Sequence, residues 1–324
     1  MIAVIVPFYQ RQPGLLHRAL SSIAQQRWTG ELRVLVTDDG SPVPAETELD
    51  GLPSSLIAQV RILRQSNAGP AAARNLALDA LPPGADMVAF LDSDDVWDAT
   101  HLANVDAARK AGAALYFADH WRQEDPLTRF AECGFQPDGR AIAAGSPDIV
   151  WCNPRSLMQT IVRRSPVGTS TVAISRDLIG LRRLRTDLRT AGEDSLFWLS
   201  VLETGPRVAC STHCEAVYGR GVSVFNHRSW GDERSLRTAL DEMQAQRAFR
   251  QMFSSDPVAA ALIEDRCRDL DLTFWQALFA CVRRLKFGAV WLATTYVGKR
   301  PLALLRMPRA TIRAVRQQFQ RNPA

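Results

Sequence analysis

The chain has 324 residues, 46% apolar and 23% charged, which fits a soluble globular protein and excludes a disordered or membrane-spanning one. Its net charge of +5 is unevenly placed: from Leu272 onward there are ten Lys or Arg and no Asp or Glu, leaving 29 basic against 34 acidic side chains before it. That asymmetry points to an anionic partner for the tail, and no apolar run reaches the length of about 18 residues that spans a bilayer.

The opening MIAVIVPFYQ lacks a basic segment and a cleavage site, so it reads as a buried strand over Ile2–Val6, ended by Pro7, and not as a signal peptide. Pro13 opens a helix with Leu15, Leu16, Leu20 and Ile23 at helical spacing. A second apolar run, Leu32–Val36, is closed by Asp38-Asp39-Gly40-Ser41. Val60–Leu63 reads as a third strand, followed by Asn67-Ala68-Gly69-Pro70 and an alanine-rich helix to Ala80. Met87–Leu91 is a fourth, stopped by Asp92-Ser93-Asp94-Asp95; a helix over Ala99–Ala111 and a strand over Ala114–Phe117 come next. Strands separated by helices imply parallel βαβ units, whose ligands bind beyond the carboxyl ends of the strands. Both acidic clusters stand at such ends.

Residues 120–165, rich in Gly, Pro and charge, read as an irregular excursion, and Gly168–Ser175 as a return to strand. Gly192-Glu193-Asp194 begins another helix; beyond about Asn226 the pattern is wholly helical, which places a boundary between residues 1–225 and 226–324. The six cysteines include one C-x3-C at Cys210 and Cys214, half of a zinc site whose second ligand pair is missing, so reduced structural thiols are the better reading.

Phe90-Leu91-Asp92-Ser93-Asp94-Asp95 carries the strongest chemical signal. Three carboxylates in four residues repel one another unless a cation joins them, and magnesium or manganese takes one or two carboxylates plus substrate phosphates. Helix capping by Asp95 or Asp98 accounts for one of these acids, not three. The small residues from Asn67 to Ala73 allow a ligand or backbone close to a helix N-terminus, which favours anions. Arg74 and Asn75 within that helix are unexplained by packing, because buried polar groups need partners. Glu193-Asp194, taken alone, complements the dipole of its own helix.

Together these clusters resemble the family 2 glycosyltransferases. The likeness is carried by Val4 to Tyr9, Asp38 to Ser41, Asn67 to Asn75, Phe90 to Asp95, Ser170 to Val172 and Gly192 to Asp194, and covers residues 1–225. The phrase Pro7-Phe8-Tyr9-Gln10-Arg11-Gln12 is similar to glucosyltransferases that build succinoglycan-type bacterial exopolysaccharides. The resemblance implies the GT-A nucleotide-diphospho-sugar transferase fold, α/β with a Rossmann-like, mostly parallel sheet flanked by helices, here with a helical basic C-terminal extension. It implies that Pro7 and Tyr9 border the nucleotide base, Asp39 contacts uracil, and Arg74 lies near the donor pocket. Asp92 would meet ribose or metal, Asp94 would ligate Mn2+ or Mg2+ on the diphosphate, and Asp194 would be the catalytic base. Members often carry an arginine and a histidine after the tyrosine matching Tyr218; this chain has Arg220 and no histidine there. It also lacks the QxxRW motif of processive members.

The function implied is inverting transfer of a single sugar, glucose from UDP-glucose, to a lipid-linked or oligosaccharide acceptor in exopolysaccharide synthesis. Phe274, Trp275, Leu278, Phe279 and Trp291 alternate with Arg283, Arg284, Lys286, Lys299, Arg300, Arg306 and Arg309. That interleaving predicts a cytoplasmic protein held peripherally on the anionic inner face of the cell membrane. A nucleotidyltransferase of sugar phosphates would need a glycine-rich loop where this chain has Pro-Phe-Tyr-Gln. A nucleic-acid-binding role is disfavoured by the acidic first domain.

Overall fold

The structure, a computed structural model, describes residues 1–123, 125–143, 146–189, 191–219, 233–284 and 289–307. Arg220, Lys286 and Arg309 lie outside the described residues, as do Asn226 and the predicted boundary. The chain divides into two compact units, Met1–Asp187 with Glu193–Ser223, and Leu188–Gly192 with Val224–Ala324.

The first unit opens with β1 (Ile2–Phe8), α1 (Leu15–Ala24), β2 (Leu32–Asp38), a 3-10 turn at Ala45–Leu49, α2 (Ser54–Ile57) and β3 (Val60–Arg64). It continues through α3 (Pro70–Asp79), β4 (Met87–Phe90), β5 (Val96–Trp97), α4 (His101–Lys110) and β6 (Leu115–Arg122). Then come α5 (Arg129–Cys133), β7 (Ile149–Cys152), α6 (Pro154–Arg164), a 3-10 turn at Thr169–Thr171 and β8 (Ala173–Ser175). The last elements are α7 (Arg176–Ile179), α8 (Glu193–Leu202) and β9 (Val208–Tyr218).

The strands make one sheet in the order β3-β2-β1-β4-β8-β6-β9-β5, with β7 also on β9. β3, β2, β1 and β4 are parallel, β8 is antiparallel to both β4 and β6, and β9 is parallel to β6. Two reversals through β8 restore the direction, so β1, β2, β4, β6 and β9 end along one edge. β1 and β4 are buried at every position, which is why both read as unbroken apolar runs.

β1 does not stop at Val6. Pro7 lies within it, paired with Thr37, and the strand runs to Phe8. The carbonyl of Ile5 accepts from Leu91 and that of Phe8 from Asp39, so by alternation the nitrogen of Pro7 faces the β4 side. Pairing with β4 has already ended at Ile5–Phe90, so the missing N–H breaks no ladder bond.

The stretch 120–165 is more ordered than its composition implies. β6 extends to Arg122, and α6 starts where the Asn153 side chain accepts from the amides of Arg155 and Ser156 (2.9 and 3.3 Å), with Pro154 in its first turn. Gly168–Ser175 is a 3-10 turn before a strand of three residues. β9 eluded the sequence reading because its centre, Ser211-Thr212-His213-Cys214, is polar and contains a register shift against Ala118 and Asp119.

The second unit contains α9 (Glu233–Met252), α10 (Pro257–Arg283), α11 (Ala289–Lys299) and a 3-10 segment Pro301–Arg306. Asp256 caps α10 through the amides of Val258 and Ala259. Phe274 stacks on Tyr296 at 3.8 Å, and Tyr296 donates its hydroxyl to the fully buried Asp271 at 3.0 Å. Arg300 Nε reaches both oxygens of Asp271 (3.0 and 2.9 Å), its Nη2 reaches Glu264 at 2.7 Å, and Arg306 also pairs with Asp271. This corrects part of the expectation for the tail. Phe274 and Trp275 are buried, and Arg300 and Arg306 neutralise acids just upstream of the acid-free stretch. Among the described residues no helix is long and apolar enough to cross a membrane.

Candidate active site

Three strand ends converge on one hydroxyl-rich corner. Gln10, just past β1, exchanges hydrogen bonds with Ser41 past β2: its amide donates to Ser41 Oγ, whose hydroxyl donates to the Gln10 carbonyl, both at 2.9 Å. Its side-chain amide donates to Ser93 Oγ at 3.1 Å, tying both ends to the acidic turn after β4. Tyr9 beside it is half-buried. Sequence reading named Gln10 only as part of a phrase; nothing in a lone glutamine signals such a link.

Asp39 is buried and faces the entry of α3. Its carboxylate accepts from Gln65 Nε2 (2.7 Å) and from the amides of Ala68 (2.7 Å) and Gly69 (2.9 Å). The small residues there serve a close approach of backbone to carboxylate.

The acidic turn divides its three carboxylates among different tasks. Asp95 is buried; Ser170 Oγ donates to its Oδ2 at 2.5 Å and the Gly219 amide to its Oδ1 at 2.9 Å. Burial pushes the Asp95 carboxyl well above its ordinary range, reinforced by the charges of Asp94 and Asp92. Asp95 is therefore a structural acid, and neither it nor Asp98 caps the first amides of α4 as expected: the N-cap is Thr100, which has no side-chain cap bond, and Asp98 accepts from the amide and hydroxyl of Thr100 itself (2.9 and 2.5 Å). Asp92 and Asp94 stay half-buried. Arg18 on α1, which the sequence reading did not select, donates to the carbonyl of Asp94 at 3.4 Å and brings a positive charge beside the turn.

Ser170 holds this corner together. Its hydroxyl also accepts from the Asp92 amide (3.0 Å), its carbonyl accepts from Trp97 Nε1 (2.5 Å), and its amide donates to the Tyr218 hydroxyl (3.2 Å). Tyr218 stacks on His120 at 4.2 Å, and burial lowers His120 to about 3, leaving a neutral ring. The packing is close enough to require glycine twice: a Cβ at Gly168 would meet His120 and Tyr218 at 2.4 Å, and one at Gly219 would meet the Asp94 carbonyl at 1.8 Å. We expect Ser170→Ala to lower stability by about 1–3 kcal/mol, because it strips a partner from a buried acid and leaves the Asp92 amide unpaired. Urea unfolding measures this; an unchanged midpoint would remove Ser170 from that role.

Arg74 explains its own burial. Its Nη2 donates to Asp92 Oδ1 at 2.5 Å, and its Nη1 faces Glu193 Oε1 at 3.7 Å, an ion pair without a hydrogen bond. Burial opposes its charge, but attraction to Asp92 and Glu193 more than offsets that and its pKa is raised. Asn75, the other residue left unexplained, pairs with the backbone of Leu184, accepting from its amide and donating to its carbonyl, both at 2.8 Å. One turn further, Arg183 pairs with Asp79 at 2.5 Å. α3 thus holds the segment that leads toward α8.

Glu193 and Asp194 open α8 with different surroundings. Burial, then the charge of Asp194, push the Glu193 carboxyl up to about 7 against the pull of Arg74. Asp194 is half-buried; Thr169 Oγ1 donates to its Oδ2 at 3.2 Å and the Ser195 amide to its Oδ1 at 2.5 Å. Arg74 therefore gathers Asp92 and the Glu193-Asp194 pair around one guanidinium. Pro7, Tyr9 and Asp39 line the neighbouring strand ends.

The metal expectation can be tested against these donors. Among the described residues no three His, Cys, Asp or Glu are grouped to hold an ion. Asp95 is engaged inward, which leaves Asp92 and Asp94. Two carboxylates are the usual protein share for Mg2+ or Mn2+ when substrate phosphates complete the shell, so the residues fit a metal carried with a diphosphate.

Comparisons with known proteins bear on the family and the fold. A sequence model of the family described as "Glycosyl transferase family 2" matches residues 3–134. The chain is 30% identical over 286 residues to the succinoglycan biosynthesis protein ExoW of Rhizobium meliloti (strain 1021), covering 88% of each. Among solved structures it is similar to S. aureus TarS 1-349 in complex with UDP, with a TM-score of 0.54 and 17% identity over 95% of this chain and 91% of that one. A longer TarS chain is matched over 53% of its length. It is also similar to the mannosyltransferase PcManGT of Pyrobaculum calidifontis in complex with GDP-Man and Mn2+, with a TM-score of 0.54 and 19% identity over 98% and 86% of the two chains.

Proposed function

Because the chain belongs to glycosyl transferase family 2, we propose that it is an inverting enzyme moving one glucose from UDP-glucose to a lipid-linked or oligosaccharide acceptor in exopolysaccharide synthesis. The observation that carries this is Arg74, buried between Asp92 on the donor side and Glu193 beside the proposed base. The exopolysaccharide role is supported by the likeness to ExoW over 88% of both chains.

The uridine is bordered by Tyr9, just past the buried Pro7, and Asp39 fixes the loop against which it rests. Asp92 and Asp94 would hold Mn2+ or Mg2+ with the diphosphate; bound there, the ion offsets charge developing on the leaving group. Asp194 takes the proton of the acceptor hydroxyl as that oxygen attacks the anomeric carbon. The bond from that carbon to the diphosphate breaks, UDP leaves, and a single displacement turns an α-linked donor into a β-linked product. Thr169 and the Ser195 amide steady the Asp194 carboxylate for this step. The enzyme works at the cytoplasmic face of the membrane, held peripherally by its second unit.

Thermal-shift measurements test the donor. A ligand at 100 times its Kd stabilises by about 2.7 kcal/mol, so UDP-glucose with Mn2+ should raise the melting temperature clearly above either component alone. GDP-mannose should not. If no UDP-sugar shifted the melting point with either metal, the donor assignment would fail.

A further inference from the structure

The 3-10 segment Pro301–Arg306 is fastened at three points. Arg300 before it and Arg306 at its end both reach the buried carboxylate of Asp271. Between them the carbonyl of Ala303, itself buried, accepts from Trp275 Nε1 at 2.8 Å. A backbone pinned in this way cannot turn its side chains inward. What it presents is apolar: Leu302 is 61% exposed, Leu304 48%, Leu305 75%, and the following Met307 48%. Trp291, on the helix α11 that packs against the segment, is also exposed. Fixed apolar groups clustered in water mark a surface that something else covers.

We propose that Pro301–Met307 is a rigid wedge that enters the interfacial layer of an anionic lipid membrane, with Leu302, Leu304, Leu305 and Met307 below the headgroups. This rests on the peripheral-membrane part of the reading above and narrows it: adhesion comes from apolar insertion, while Arg300 and Arg306 are spent inside the protein holding the wedge. Charge selects the occupant. Apart from Arg300 and Arg306 the sequence from Leu272 carries eight basic and no acidic residues, and Arg283, at the end of α10, and Arg284, just past it, are exposed. A second copy of the chain would bring the same sign of charge to the patch and be repelled, whereas anionic lipid is attracted to each basic residue near the surface.

The test is sedimentation of the full chain with vesicles of equal parts phosphatidylglycerol and phosphatidylcholine, at low and at high salt. Wild type should bind, and a substantial part of that binding should survive high salt. Leu302→Ser with Leu305→Ser should weaken partitioning by about 10–100-fold, since two largely exposed leucines lose their burial. The single Leu305→Ser variant, at the most exposed site, guards against a folding defect and should give an intermediate loss at an unchanged melting temperature. If the leucine variants bound like wild type while salt stripped all of them from the vesicles, the wedge would be wrong and charge alone would hold the protein. Wild type that ignored the vesicles would sink wedge and membrane reading together. A dimer in solution that the leucine substitutions dissolve, with no vesicle binding, would overturn the wedge in favour of a second copy.

Discussion

Replacing Asp194 by Asn should lower kcat by roughly 10²–10⁴-fold, the usual contribution of a general base, while UDP affinity in the presence of Mn2+ stays near wild type. The amide keeps the shape, with its oxygen accepting from the Ser195 amide and its NH2 turned to donate to the Thr169 hydroxyl, but it cannot take a proton from the acceptor. Glu193 is the rival base, since its carboxyl, pushed up to about 7 by burial and by Asp194, is better matched to neutral pH. Their partners differ: Glu193 faces the buried Arg74, whereas Asp194 turns to the Thr169 hydroxyl, which makes Asp194 the proposed base. If Asp194 only complemented the dipole of α8, the variant would lose about 0.3–1 kcal/mol of stability and keep its turnover. Glu193→Gln is the control, and a larger drop in kcat there than at Asp194 would exchange the two roles.

The second large effect is expected at the acidic turn. Asp94→Asn should abolish measurable turnover, and it should do so through binding: UDP affinity should become independent of added Mn2+. Asp95 cannot stand in, because Ser170 and Gly219 hold it inward. Isothermal titration of UDP with and without Mn2+ reads this directly. Wild-type, metal-enhanced affinity in the variant would show that Asp94 holds no ion.

Much of the first unit was legible because buried parallel strands are apolar runs and their ends are chemically marked. Ile2–Val6 and Leu32–Val36 fall within strands that each run two residues farther, and Met87–Leu91 covers β4 and the residue after it. β7 and β9 were not legible, since a four-residue edge strand and a bulged strand with Thr212 and His213 exposed show no alternation. In the site, three clustered aspartates announced themselves, but their division of labour did not. Whether an acid faces Arg74, as Asp92 does, or Ser170, as Asp95 does, depends on residues about 20 and 75 positions away in the chain, which only the folded sheet brings close. Ser170 entered the sequence reading only as part of the family likeness, because a serine becomes a junction only when the fold brings Asp92, Asp95, Trp97 and Tyr218 around its hydroxyl, carbonyl and amide. In the second unit the opposite error arose: Arg300 and Arg306 advertised a basic surface, and Asp271, one residue before the acid-free stretch, had already claimed them.

α3 has a bearing on how relatives of this enzyme can diversify. At its entry it leans on Asp39, midway it holds Asp92 and Glu193 through Arg74, and farther along it grips Leu184 and Arg183. Under the proposed roles, a substitution inside the helix would disturb the nucleobase, diphosphate and base-bearing ends together. A substitution in a loop that merely touches one end changes one preference at a time. New donors and new acceptors can thus be tried separately, against a common beam that keeps the reacting atoms in register, so that one scaffold can serve many different glycans.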